Sequence, residues 1–215
     1  MKLTRERIVD AGMVVFAEVG YHHLSMRQVA DRLDTHAGSL YYHVRSKDEL
    51  LALMADRICR RAYDAGTEAL TALPPTADWP DRVHAQASGL RHSIGQHPGG
   101  ARLLAESPGM LSTGALALME RLLATLSDAD LPADDRAVAA DTLLSHVTGF
   151  VLQEQNQPTA PPPVTAELHT DLCERFPLLM GPTFPRLSQD EKFTRSIRLL
   201  CAGFATLARP PATGA

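Results

Sequence analysis

Residues 25–47 read SMRQVADRLDTHAGSLYYHVRSK and predict two short helices joined by a tight turn. Ser25 can cap the first helix, and Gln28 follows three residues later, which is the spacing of a capping box. Asp34 stands where the chain must reverse, and aspartate tolerates a left-handed backbone better than most residues do. The outer face of the second helix carries small and hydrogen-bonding side chains. This layout is typical of a helix-turn-helix that reads the major groove of DNA.

The composition is that of a folded protein with room for a small domain and a larger one. The chain has 215 residues, of which 45% are hydrophobic and 21% charged. No apolar run approaches the length of about 18 residues that a membrane span needs, and the first residues lack a signal-peptide core. The three scattered cysteines, Cys59, Cys173 and Cys201, have no metal-ligand spacing and read as thiols in a reducing compartment. We therefore expect a cytoplasmic protein that does not enter the membrane.

The charge is unevenly distributed between the two parts of the chain. Residues 1–47 hold seven Lys and Arg against five Asp and Glu, a formal charge of +2. Because the net charge of the whole chain is −4, the remaining residues carry −6. A mildly basic end on an acidic body fits contact with phosphates through that end alone.

Helical periodicity continues along the rest of the chain, and no strand-like alternation persists. We predict a first helix from Thr4 to a stop at Gly20, and a long helix that opens with a capping box at Ser46 and Glu49 and ends near Ala65. Proline-rich stretches at 71–80, 157–165 and 177–187 separate the later helices. These helices are predicted at about 81–95, 100–106, 112–127, 133–156, 165–176 and from Ser188 onward. The predicted fold is all-α.

The first sixty residues or so resemble the TetR family of transcriptional repressors. The resemblance is carried by the run Leu40-Tyr41-Tyr42-His43-Val44 followed by Ser46-Lys47. Later stretches look like the regulatory domain of the tetracycline repressor. They are Trp79-Pro80-Asp81, His97-Pro98-Gly99-Gly100-Ala101, Ser145-His146-Val147-Thr148 and Val151-Leu152-Gln153.

This resemblance implies a homodimer that binds a palindromic DNA operator and is released by a small-molecule effector. Residues 1–47 would form a three-helix DNA-binding head, and residues 48–215 a larger ligand-binding and dimerisation domain. The helix at about 47–65 would link the two. The helices at about 133–156 and 188–208 would build the dimer interface.

Seven residues are candidate DNA contacts. Arg27 lies in the first turn of its helix, where a bidentate contact to guanine is possible, although a phosphate contact or a solvated arginine is also open. Adjacent tyrosines point about 100° apart, so we expect one of Tyr41 and Tyr42 to pack and one to reach DNA. The resemblance assigns DNA contact to Tyr41 and His43, and Lys47 would lie beside a phosphate. The full set is Arg27, Gly38, Ser39, Tyr41, Tyr42, His43 and Lys47.

The candidate ligand site departs from that of the tetracycline repressor. That repressor binds its drug as a magnesium chelate through a histidine, and the resemblance places Leu104 there, with the acidic partner at Gln153 or Glu154. Leucine cannot ligate magnesium, so we expect a metal-free effector and no cofactor. Tyr63 matches a drug-contacting histidine. The predicted pocket comprises Tyr63, Gln86, Leu90, Leu104, Ser107, Glu120, His146 and Gln153.

Two other functions remain open at this point. One is a helical-bundle enzyme that uses histidines as bases, although the sequence shows no nucleophile-base spacing, no His-Glu-x-x-His and no Cys-x-x-Cys. The other is a DNA-binding regulator without an effector. The resemblance also allows an activator, since the position of the operator decides the outcome.

Overall fold

A computed structural model describes residues 2–107, 112–157, 165–181 and 186–208, and these residues form helices and no strand. The helices are α1 (Arg5–His23), α2 (Met26–Arg32), α3 (Ala37–Tyr41), α4 (Lys47–Thr71), α5 (Trp79–Gly95), α6 (Gly100–Glu106), α7 (Thr113–Ser127), α8 (Ala133–Gln155), α9 (Ala166–Arg175), α10 (Pro177–Met180) and α11 (Gln189–Ala205). The predicted all-α fold is confirmed.

Helices α1 to α3 and the start of α4 form a small unit around one core. Ile8 and Phe16 of α1 pack with Leu40, Val44 and Leu50, and all five are almost fully buried. Burying each side chain of this size contributes about 1.5–3 kcal/mol relative to leaving it exposed, and this burial stabilises helices as short as α2 and α3. The unit is therefore a rigid support for its outer face.

Two backbone positions in this unit behave as the sequence predicts. Asp34 adopts a positive φ of 51° in the turn between α2 and α3. Gly20 has a φ of 77° and breaks the regular helix, after which one short turn continues to His23. A side chain at Gly20 would be strained in that conformation, so glycine suits the position.

The two predicted capping boxes, and a third at the start of α11, differ in detail. Ser188 and Glu191 form the complete reciprocal box at the start of α11. Ser46 accepts from the Glu49 backbone N–H, but the Glu49 carboxylate accepts from the Arg45 N–H at 2.6 Å rather than from Ser46. At Ser25 the hydroxyl donates to the Gln28 side chain at 2.8 Å. Each serine caps its helix, but only one of the glutamates reaches the cap residue's own N–H.

Helix α4 runs to Thr71, beyond the predicted end near Ala65, because its buried side continues against α5. The two helices approach closely at a pair of glycines: a Cβ on Gly89 would lie 2.8 Å from the Gly66 nitrogen. Helices α6, α7 and α8 pack around this pair, and α11 crosses α5 and α8. Helices α9 and α10 contact each other and bury no side chain.

Arg91 joins α5, α8 and α11. Its guanidinium donates to both Glu154 carboxylate oxygens, at 2.6 and 3.1 Å, and lies 2.8 Å from an Asp190 oxygen. The Phe150 and Phe193 rings lie within 5.3 Å and 4.8 Å of the guanidinium carbon, so cation–π attraction adds to the ion pairs. These contacts fix the angle of α11 relative to the rest of the body.

Candidate DNA-binding face and ligand cavity

Helix α3 presents a free outer face beside α2. Arg27 and Gly38 are exposed, and a Cβ added at Gly38 would meet nothing within 4 Å. Ser39 is half-buried, while Leu40 and Val44 anchor the other side of the helix in the core. A backbone with small side chains on its open face can approach the edges of DNA bases closely.

Both tyrosines at the end of α3 project outward, so the prediction that one of them packs was wrong. Tyr41 is 49% exposed and Tyr42 is 92% exposed. The inner face is already filled by Leu40 and Val44, and α3 ends at Tyr41, which leaves both aromatic rings on the outside. His43 is half-buried and its carbonyl accepts from Arg5 Nε at 3.2 Å.

Lys47 has an internal role that the sequence did not reveal. Its ammonium group donates to the carbonyls of Tyr21, at 3.2 Å, and His22, at 3.4 Å, and lies 5.9 Å from the centre of the Tyr21 ring. The cation thus binds the carboxyl end of α1 to the start of α4, with two of its three hydrogens engaged.

The unit formed by α1 to α3 touches the rest of the protein at the end of α6. The Tyr21 hydroxyl donates to the Glu106 carbonyl at 2.6 Å, and His22 Nε2 lies 4.0 Å from the Glu106 carboxylate. Burial, and then the carboxylates of Glu106 and Asp48, raise the pKa of Tyr21. We call the Tyr21–Glu106 hydrogen bond the latch.

The entrance to α6 also depends on a close approach to α1. Gly99 has a φ of 72°, and a Cβ there would lie 2.9 Å from the Phe16 ring. The head therefore contacts α6 at both ends of this short helix.

A cavity of about 250 Å³ lies between α4, α5, α6, α7 and α8. Its walls are Ala52, Ala55, Cys59, Leu90, Leu104, Ser107, Ser112, Ala115, Leu118, Leu144 and Thr148. Leu90, Leu104 and Ser107 are among the residues predicted from the sequence. The small residues of α4 were missed, although Ala52, Ala55 and Cys59 follow the i, i+3, i+7 spacing of a single helical face.

Gln86, another predicted pocket residue, lines a separate void of about 20 Å³ that also touches Leu90. Its amide donates to Thr125 Oγ1 at 2.6 Å and its oxygen accepts from Arg121 Nε at 3.2 Å. A void of this size holds about one water molecule, and the polar atoms of Gln86 already have partners.

Four predicted pocket residues line neither the cavity nor this void. Tyr63 lines an outer groove, with its ring centre 4.1 Å from the Arg121 guanidinium carbon, and Glu120 and Gln153 are exposed. His146 faces α11. On α8 the side chains that reach the cavity are Leu144 and Thr148, and at about 100° per residue positions 146 and 153 point elsewhere.

The His146 ring is held between α8 and α11. Its Nε2 lies 2.7 Å from Ser196 Oγ, which also lies 2.8 Å from the Phe193 carbonyl oxygen. Burial lowers the pKa of His146. Burial also lowers the pKa of His84, helped by Arg198, and of His97, helped by Arg61.

The residues at the position that corresponds to the magnesium site of the tetracycline repressor do not fit the ion. Leu104 offers no oxygen, Gln153 points outward, and both oxygens of Glu154 accept from Arg91. Among the described residues there is no cluster of three His, Cys, Asp or Glu side chains that would hold a metal. Across the same residues, no helix is long and apolar enough to cross a membrane.

Comparison with known proteins agrees with this arrangement. The model of the bacterial regulatory proteins of the tetR family matches residues 8–54. The model of the tetracyclin repressor-like C-terminal domain matches residues 71–208. Residues 55–70, most of α4, lie between the two matches.

Individual relatives cover nearly the whole chain. An HTH-type transcriptional regulator from Saccharopolyspora erythraea is 32% identical, over 96% of this chain and 86% of its own. The Streptomyces coelicolor TetR family protein ActR, solved in complex with actinorhodin, aligns with a TM-score of 0.78 and 28% identity over 98% of this chain and 99% of its own. BioQ, solved with its double-stranded DNA operator, aligns with a TM-score of 0.67 and 25% identity over 95% of this chain and 99% of its own.

These matches exclude the helical-bundle enzyme, because the family consists of regulators. The chain belongs to the TetR family of transcriptional regulators.

Proposed function

We propose that this regulator is a repressor that binds a palindromic operator as a homodimer and is released by a small-molecule effector. The observation that carries the proposal is that α6 contacts both the cavity and the head. Leu104 of α6 lines the cavity, and two residues later the Glu106 carbonyl accepts the latch hydrogen bond from Tyr21 in the head. A change in the cavity is thus about half a turn of α6 away from the latch.

DNA recognition is assigned to residues 1–47, and ligand binding and dimerisation to residues 48–215. Arg27 on α2, Gly38 on α3 and Tyr42 directly after α3 are all exposed. BioQ, a relative with the same fold, is solved with its operator. In a two-fold dimer the two heads would enter successive major grooves, about 34–36 Å apart.

The dimer interface is assigned to α8 and α11. Val138 on α8 is 64% exposed and Leu199 on α11 is 72% exposed. Large apolar side chains that stand in water on neighbouring helices are typical of a surface that a second copy covers. Two copies of this surface, related by a two-fold axis, would form a bundle of four helices.

Release follows if the effector binds better to a form of the protein in which the heads do not fit the operator. A molecule in the cavity would press on Leu104 and shift α6. The latch and the contact of Phe16 with Gly99 would carry that shift into α1. The coupling between the two sites would amount to about 1–3 kcal/mol, a 5- to 150-fold change in operator affinity.

The effector-independent regulator is less well supported because of the cavity. A space of about 250 Å³ with mostly apolar walls and three hydroxyl groups fits a small-molecule site. ActR, a structural relative, is solved with actinorhodin bound.

The proposal is tested by selecting an operator in vitro and measuring its affinity for variants of the head in a gel-shift assay. Arg27→Ala and Tyr42→Ala should each weaken binding at least about tenfold, the loss expected for a direct DNA contact. Arg175→Ala is the matched control, because it removes an equal charge from α9, where Arg175 pairs with Asp171 in an exposed ion pair. Equal operator affinity for the unaltered protein and all three variants would overturn the proposal.

A further inference from the structure

We infer that the cavity binds an uncharged molecule with an apolar body and one carbonyl or hydroxyl group. That polar group faces Thr148, and the molecule enters the cavity between α6 and α8. This inference deepens the proposed function, since it names the chemical class of the effector.

The cavity offers no charge to a ligand. All eleven lining residues are uncharged at neutral pH, and burial raises the pKa of the one titratable group among them, the Cys59 thiol, to about 11. Asp56 lies on the adjacent side of α4, but its carboxylate already accepts from the Gly114 N–H at 2.7 Å and from Arg60 Nε at 2.7 Å. A carboxylate or ammonium in the cavity would lose its hydration without gaining a partner.

Three of the lining side chains carry hydroxyl groups. Ser107 donates to the Leu103 carbonyl and keeps its lone pairs, while Ser112 accepts from the Ala115 N–H at 3.2 Å and keeps its hydrogen. The Thr148 hydroxyl makes no hydrogen bond to another described residue, so both its hydrogen and its lone pairs are available. A carbonyl or hydroxyl on the ligand would satisfy this group at little desolvation cost.

Thr148 also stands where the cavity adjoins an outer cleft. Leu104, Leu144 and Thr148 line both the cavity and an outer cleft of about 400 Å³ that extends to Ser145 and Leu152. A ligand that enters by this cleft with its apolar body first brings that body to Leu90 and Leu118. Its polar end then remains at the opening, beside Thr148.

The test uses prodan, a neutral naphthyl ketone whose fluorescence shifts to longer wavelength when its carbonyl accepts a hydrogen bond. Prodan should bind saturably and be displaced by methyl naphthoate, while the naphthoate anion, which has the same ring, should compete at least about 30-fold more weakly. This comparison uses the native protein alone and does not depend on the folding of any variant.

Thr148→Val keeps the shape of the side chain and removes its hydroxyl. It should weaken prodan binding about three- to tenfold and move the emission of bound prodan to shorter wavelength. Ser145→Ala is the control, because Ser145 lines the outer cleft and not the cavity, and it should change neither quantity.

Three results would each overturn the inference: no saturable prodan binding, displacement by naphthoate as strong as by its methyl ester, or unchanged emission in Thr148→Val. These measurements contain no DNA. Loss of the operator-binding result would therefore refute the proposed function and leave the ligand class standing, whereas failure here would leave DNA recognition intact.

Discussion

Replacing Gly38 with alanine should stabilise the protein and weaken operator binding at the same time. Gly38 is exposed on α3, and a Cβ at this position would meet no atom within 4 Å. In the free protein the methyl group therefore clashes with nothing. In the proposed complex it stands between the backbone of α3 and the DNA.

The two effects have different sizes. Glycine in a helix is less favourable than alanine by about 0.5–1 kcal/mol, so Gly38→Ala should raise the free energy of unfolding by up to that amount. For a chain of this length, 1 kcal/mol corresponds to about 2–4 °C in Tm. Forcing an extra methyl into a close-packed contact costs about 1–3 kcal/mol, so operator affinity should fall by about 5- to 150-fold.

Gly95→Ala serves as the matched control for this pair of measurements. Gly95 is also helical and exposed, with nothing within 4 Å of its would-be Cβ, but it lies at the end of α5 in the body. It should give a similar rise in Tm with unchanged operator affinity. If Gly38→Ala bound the selected operator as tightly as Gly95→Ala, the close approach of α3 to DNA would be wrong.

Three further predictions follow from the body. Arg91→Met keeps the packing between the two phenyl rings but leaves the half-buried Glu154 without its partner. Chemical denaturation should therefore show a free energy of unfolding that is lower by about 1–3 kcal/mol. An unchanged denaturation midpoint would contradict the stabilising role of Arg91 between α5, α8 and α11. Leu199→Glu should yield monomers in analytical ultracentrifugation, while Leu178→Glu on α10, which is even more exposed, should not; a Leu199→Glu dimer would refute the assigned interface. Burial holds the pKa values of His146, His84 and His97 below 6.5 in the folded chain. As the pH falls past 6.5, the unfolded chain binds more protons than the folded chain does, so Tm should drop. A Tm that rises with acidity over this window would show the opposite sign.

The helical layout was predictable because its signals are local. Serine caps and proline-rich breaks follow directly from backbone chemistry, and the segment predicted at about 100–106 is found as Gly100–Glu106. The end of α4 was misplaced because Gly66 and Gly89 meet across two helices. No signal within α4 alone reports a partner that is more than twenty residues away.

The cavity was only partly predictable because it depends on the rotation of five helices at once. Leu104 and Ser107 were identified, but the walls supplied by α4 were not, since Ala52 and Ala55 are unremarkable as isolated residues. His146 looked like a pocket residue in an apolar helix. The structure satisfies it instead with Ser196, fifty residues later in the chain.

The latch shows a further limit of the sequence. Tyr21 and Glu106 are 85 residues apart, and the acceptor is a backbone carbonyl, which carries no signature in the side-chain pattern. Lys47 likewise read as a phosphate contact at a helix start, and its bonds to the end of α1 became visible only in three dimensions.

The central claim is that paired heads of this chain read an inverted repeat. It is tested most directly by selecting DNA from a random pool with the purified protein and measuring the mass of the resulting protein–DNA complex. We expect inverted repeats whose half-sites are centred about one helical turn apart, or a whole multiple of it, with two chains on each duplex. Selected sequences without two-fold symmetry, or a complex containing a single chain, would contradict the account.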